Sequence, residues 1–167
     1  PMKDNKRKDV NVLPRNWAAI DIDGGKQQKQ DAAGKVYTPK GTDSLGISPQ
    51  VLEALKEVLK PFSCFIYPTH SDTPTARKYR VVMALDKELG PKDWEVCARN
   101  VCLWLMEKVP ELAEQPDKLI TAAIDSASYT PAQIMYTVPK EKAASLELFS
   151  ATPISTAQFT KGSKTEK

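Results

Sequence analysis

Apolar and polar positions alternate along this chain in short blocks, and the period of each block predicts its element. Trp17-Ala18-Ala19-Ile20 lies in a strand over about 16–22 that finishes in Asp21-Ile22-Asp23. Residues 23–47 hold Gly24-Gly25, Gly34, Gly41 and Gly46 and read as a long loop, with a short strand at Lys35-Val36-Tyr37. A loop of that length inside a compact domain is more often functional than idle. Ser48-Pro49 then opens a helix, since Ser accepts from free amides and Pro suits the first helical position. Val51, Leu52, Leu55, Val58 and Leu59 share one face of it, and Pro61 stops it.

Residues 62–69 and 79–85 read as two strands joined by the polar turn Ser71-Asp72-Thr73-Pro74-Thr75. A second helix starts at Gly90-Pro91 and runs to about Lys108, with Trp94, Cys97, Ala98, Val101 and Leu105 as its apolar stripe. A strand over 119–124 leads to Asp125, and 133–138 reads as a last strand before Pro139. The order β-loop-α-β-β-α-β-β predicts an α/β (α+β) fold: a mixed sheet with helices packed on it. The Lys/Arg/Asp-rich residues 1–10 read as a mobile basic arm. Residues 11–148 form the domain, and 149–167, rich in Thr, Ser and Lys, read as a polar, flexible tail.

Composition narrows this picture only slightly. A chain of 167 residues, 41% hydrophobic and 27% charged, is long enough for one domain with a real core. No apolar run approaches about 18 residues and the N-terminus is polar, so neither a membrane span nor a signal peptide is expected. The net charge of +3 permits contact with nucleic acid without requiring it. Cys64, Cys97 and Cys102 show no Cys-x-x-Cys spacing, and His70 is the single histidine, which argues against a Cys/His zinc site. The cysteines read instead as buried, reduced thiols, and the expected location is the cytoplasm. The absence of G-x-x-x-x-G-K-[ST] argues against a P-loop ATPase.

Candidate chemistry sits at the ends of the apolar runs. Residues two apart in a strand point the same way, so Asp21 and Asp23 would share a face while Ile22 enters the core. Magnesium takes a few carboxylates and completes its shell with water and phosphate oxygens. Two such ions about 4 Å apart can stabilise both oxygens of a phosphoryl displacement. Asp125 is a natural third carboxylate. Asp21-x-Asp23-x-Gly25 also begins like an EF-hand, but the twelfth position is Ala32, and that reading fails. A lone histidine beside a strand is by itself an ordinary polar residue. Beside His70, however, Lys78 and Arg80 stand two apart on the next predicted strand, and together they would make a cradle for a triphosphate.

The three segments together resemble the archaeo-eukaryotic primase superfamily, most of all the primase-polymerase domains of phage and plasmid replication proteins. The residues carrying the likeness are Ile20-Asp21-Ile22-Asp23, Pro68-Thr69-His70 and Ile124-Asp125. The longest stretch is Tyr67-Pro68-Thr69-His70-Ser71-Asp72-Thr73-Pro74 continued by Lys78-Tyr79-Arg80-Val81-Val82. Asp125-Ser126-Ala127-Ser128-Tyr129-Thr130-Pro131 followed by Ile134-Met135-Tyr136 is similar to the segment after the third aspartate, so the likeness covers about 16–140. It implies a largely antiparallel, RRM-like core. It also implies that Asp21, Asp23 and Asp125 hold catalytic Mg2+ or Mn2+, and that His70, with Lys78 and Arg80, contacts the phosphates. The implied reaction is attack of a 3′-hydroxyl on a nucleoside triphosphate, directed by a single-stranded DNA template. A helicase domain or subunit is a further partner such domains often have.

The chain departs from that pattern at Pro68, where Ser is frequent, at Asp72, where many phage relatives have a second His, and at Gln133, where Arg is common. The departures at 72 and 133 support a second reading, a non-catalytic nucleic-acid-binding module descended from a primase. Asp21-Ile22-Asp23-Gly24 also resembles the opening of haloacid-dehalogenase-type phosphatases, in which the first Asp is a nucleophile. That fold needs a downstream strand ending in an acidic pair, and Asp125-Ser126 offers one acid.

Overall fold

In the computed structural model the described residues are 13–131 and 140–160. Strand β1 (Arg15–Ile22) lies antiparallel to β5 (Tyr79–Leu89), and β5 is antiparallel to β4 (Cys64–Pro68). A short edge strand, β6 (Glu147–Phe149), pairs with β4, which gives a four-stranded antiparallel sheet in the order β1-β5-β4-β6. The fold is therefore α+β. The expected loop over 23–47 contains the hairpin β2 (Lys29–Gln30) and β3 (Val36–Tyr37), exposed along its length.

One sheet face carries the core because apolar residues alternate on it. Ala18, Ile20 and Ile22 of β1, Val81, Met83 and Leu85 of β5, and Cys64 and Ile66 of β4 are all buried. Helices α1 (Pro49–Leu59) and α2 (Pro91–Lys108) cover them. Ser48 caps α1 by accepting from the Val51 amide, and Pro49 sits in the first turn as the sequence predicts. Helix α2 buries the expected stripe of Trp94, Cys97, Ala98, Val101 and Leu105, and Cys102 as well. The Trp94 indole donates to the Trp17 carbonyl at 2.7 Å and ties α2 to β1. The three thiols are free and buried, and burial raises their pKa to about 11 at Cys64 and Cys97 and about 12 at Cys102.

Two expectations need correction. The segment 119–124 is not a strand. Leu119 adopts a left-handed conformation (φ 53°), and the amides beyond it bond to different segments: Thr121 to Lys26, Ala123 to Leu112 and Asp125 to Asp21. Apolar content alone cannot tell one ladder from pairing shared among three neighbours.

Nor are residues 149–160 a flexible tail. Ile154 and Phe159 are buried, Ile154 bridges to Leu85, and helix α3 (Thr156–Phe159) rests on α2. Asp86 on β5 accepts from both the amide and the hydroxyl of Thr156, so a carboxylate from another element caps α3. The basic arm at 1–10, the strand expected at 133–138, Gln133 and residues 161–167 lie outside the described residues.

Candidate active site

The antiparallel register gathers three strand ends. Ile22 at the end of β1 and Pro68 at the end of β4 both pair with Tyr79 at the start of β5. Asp23, Lys78 and Thr69-His70 therefore emerge at one end of the sheet. The ends of β1 and β4 that lead to the carboxylates and to His70 lie two strand spacings apart, roughly 10 Å, with the start of β5 and Lys78 between them. Asp125 joins this end through the bridge between Ile22 and Ile124 and through its own amide, which donates to the Asp21 carbonyl at 3.0 Å.

A glycine pair makes this approach possible. Gly24 and Gly25 have φ of +85° and +73°, and a Cβ on Gly25 would meet the Thr121 carbonyl oxygen at 2.2 Å. On Gly24 it would meet the Gly46 carbonyl oxygen at 1.9 Å. The loop is closed across its base as well, because the Gly46 amide donates to the Asp23 carbonyl and the Leu45 amide to the Gly25 carbonyl. On the far side the Asp23 amide donates to the Ala123 carbonyl at 2.8 Å. Asp23 and Asp125 consequently line one small polar cavity of about 320 Å³, together with Lys26, Ser44, Thr121 and Ser126.

Asp23 senses this setting. Burial raises its carboxyl pKa, and the charges of Asp21 and Asp125 raise it further, against the opposing pull of Lys78 and Lys26. Asp125 also caps the turn that follows it, accepting from the Ala127 amide at 2.9 Å. The Ser128 hydroxyl, fully buried, accepts from the Asp21 amide at 2.8 Å and holds that turn against β1.

Asp21 is placed differently. It faces Arg80 directly across β1 and β5, and the guanidinium grips its carboxylate through both Nε and Nη2, the latter at 2.9 Å. Both side chains are largely buried. Burial alone would lower the Arg80 pKa, but the hydrogen bond to Asp21 and the charge of that carboxylate, with a lesser contribution from Tyr67, outweigh it and the net shift is upward. Among the described residues no three His, Cys, Asp or Glu side chains converge as a metal-ligand group. The oxygen donors of Asp23 and Asp125 suit a hard cation such as Mg2+ or Mn2+. Asp21 stands beside them committed to Arg80.

His70 is exposed in the turn after β4. Asp72, the departure noted in the sequence, does not face the carboxylates. Its Oδ1 accepts from Arg77 Nε and from the Lys78 amide, both at 2.8 Å, so it braces the β4–β5 turn and its side chain is nearly buried. The added negative charge is neutralised where it lies.

One feature escaped sequence reasoning. On the sheet face away from the helices, Trp17, Ala19, Phe65, Tyr67, Val82 and Leu148 line a groove of about 640 Å³ that ends at Arg80. The Phe65 and Tyr67 rings stack with centroids 5.9 Å apart. The signal was present as apolar residues at the alternate positions of β1, β4 and β5, which a sheet with one wet face would fill with polar residues. Compared with protein-family models, curated proteins and solved structures, the chain gives no significant match to any of them.

Proposed function

We propose that this chain is a nucleotidyl-transfer domain of the primase-polymerase kind, acting on nucleoside triphosphates under the direction of a single-stranded DNA template. The observation that carries the reading is the convergence of Asp21, Asp23 and Asp125 with Lys78 and Arg80 at one end of a four-stranded antiparallel sheet. These are the segments on which the likeness to primases rests, and in the sequence they are separated by 45 residues or more. The reaction joins a 3′-hydroxyl oxygen to the α-phosphorus and breaks the bond to the β-phosphate, releasing pyrophosphate.

Asp23 and Asp125 would hold Mg2+ or Mn2+, with Asp21 as a third ligand once it leaves Arg80. The metal would supply charge neutralisation at the phosphates and acidify the attacking hydroxyl. The residues of the chain do the rest. Lys78 lies close enough to Asp23 to lower its pKa, and so brings positive charge to the place where phosphate oxygens would gather. Arg80 presents a planar fork suited to phosphate, and an incoming triphosphate competes with Asp21 for it. His70, exposed across the turn, reaches the outer phosphates. The aromatic groove beyond Arg80 offers ring faces on which unpaired bases stack without regard to sequence.

A second reading, a binding module without catalysis, is favoured by one observation: Asp21 is already neutralised by Arg80, and among the described residues no three-carboxylate ligand group is formed. One experiment separates the two. Metal-dependent incorporation of labelled nucleotide is measured on a primed and an unprimed single-stranded template, beside Asp21→Ala/Asp23→Ala. Catalysis predicts incorporation in the wild type and loss of at least 100-fold in the double variant. Template binding without incorporation in either protein would establish the second reading, and full incorporation by the double variant would sink the proposed site. Release of inorganic phosphate from a small phosphoester without template would point to a phosphatase.

A further inference from the structure

The β4–β5 turn that bears His70 is closed from outside by a residue some seventy positions away. Lys142 lies in a 3-10 segment (Lys140–Ser145) that packs on β4. Its ammonium donates to the carbonyls of Thr69 at 2.7 Å, His70 at 3.3 Å and Asp72 at 2.7 Å. A lysine ammonium has three N–H donors, and here three carbonyls of one turn meet them. The Asp72 carboxylate adds its charge at 3.8 Å.

The same turn is fastened internally. Thr69 donates its amide to the Lys78 carbonyl, Asp72 donates to the Thr69 carbonyl, and the Asp72 carboxylate takes the Lys78 amide. Carbonyls 69, 70 and 72 thus turn inward around one cation, while the His70 side chain stays exposed at the sheet end occupied by Lys78 and Asp23.

We propose that Lys142 is a positioning residue that sets His70 for contact with the phosphates of a nucleoside triphosphate, a role that rests on the nucleotidyl-transfer reading. Its ammonium is not itself a phosphate ligand, because its donors are taken by backbone carbonyls and only a fifth of the side chain is exposed. Three converging carbonyl dipoles repel one another unless a cation sits among them. Removing the charge lets the turn open and His70 drift, and a displacement of about 1 Å at a phosphate contact is enough to weaken it markedly.

The test is a double-mutant cycle on dATP binding in Mg2+, measured by calorimetry with Lys142→Met, His70→Ala and the combination, beside amide hydrogen exchange of the whole chain. The expected result is about tenfold weaker binding in each single variant. The combination should bind no more weakly than His70→Ala alone, because Lys142 acts through His70. Exchange should quicken over 69–78 in Lys142→Met and stay unchanged in β1 and α2. Lys142→Ala with added propylammonium, which refills the lost ammonium, should regain most of the binding.

Additive losses, or undiminished binding by Lys142→Met, would overturn the positioning role while leaving nucleotidyl transfer standing. A wild type that binds no dATP would remove the nucleotidyl-transfer reading and the positioning role together. Local loosening over 69–78 would then identify Lys142 as a structural clamp only. If Lys142→Met fails to fold, failure of propylammonium to rescue Lys142→Ala decides against the proposal.

Discussion

Asp23 carries a carboxyl whose pKa is raised from the ordinary 3.8, chiefly by burial and then by the like charges of Asp21 and Asp125. Between the unfolded value and the raised folded value the native state binds more protons than the unfolded one. The ionised Asp23 therefore costs stability above that window, and the cost is relieved as pH falls through it. Asp23→Asn should accordingly stabilise the unliganded protein. The gain is well under about 1 kcal/mol because the group is half-solvated, so Tm rises by only ~1–2 °C. Urea unfolding at pH 7 and just above pH 4 checks this, and the difference between wild type and variant should shrink at the lower pH. Nucleotide incorporation by Asp23→Asn should be lost, so stability and activity move in opposite directions, as they do where like charges are held together for a ligand. The strand-end Asp21-Ile22-Asp23 could be read directly from the sequence. That Asp21 is neutralised by Arg80 could not, because that depends on which residue stands opposite it in the register.

Among the elements, the loop between β1 and α1 fixes how closely Asp23 and Asp125 approach. Gly25 holds a positive φ with its Cα against the Thr121 backbone. Gly25→Ala would add both left-handed strain and a backbone clash, and neither can be relieved by moving a side chain. The expected loss is about 2 kcal/mol or more, read as a lower urea midpoint at unchanged slope. A parallel loss of metal-dependent incorporation should exceed what the fraction unfolded explains. The glycines marked this segment as a loop in the sequence. Their role in closing it onto 119–123 was not visible, because the partner segment lies almost 100 residues away and carries no turn signal of its own. For the same reason 119–124 resembled a strand: Ala123 and Ile124 are buried and Leu119 and Ile120 half-buried, but its backbone bonds are divided among Lys26, Leu112 and Asp21. Helices α1 and α2, by contrast, were legible almost to the residue. Their caps, prolines and apolar stripes are all local.

For the whole molecule, the helix-covered sheet face is completed by the segment after β6. Ile154 is fully buried and its backbone adds to β5, with its amide donating to Ala84 and its carbonyl accepting from Asp86. Phe159 packs edge-on against Trp104 of α2. Ile154→Ala should lower stability by about 2–4 kcal/mol, the usual cost of a cavity left by a large aliphatic side chain. A melting curve checks it. If 149–160 were a loose tail the change would be within ~0.5 kcal/mol, the range of ordinary surface substitutions. Composition misled here because Ser and Thr are frequent in the segment while two buried apolar residues, Ile154 and Phe159, hold it down.

What the sequence by itself determined was local: the helices with their caps, the three long strands, the core side of each, and the acidic residues at their ends. Periodicity and capping act over a few residues, so a single sequence displays them. The tertiary structure decided the partners. It set Asp21 against Arg80, turned Asp72 inward to Arg77, brought Asp125 beside Asp23, and placed the Lys142 ammonium among the carbonyls of the His70 turn. Each of these contacts except the one inside the turn joins segments some 60 to 100 residues apart. It is fixed by strand register and loop closure, about which local pattern holds no information.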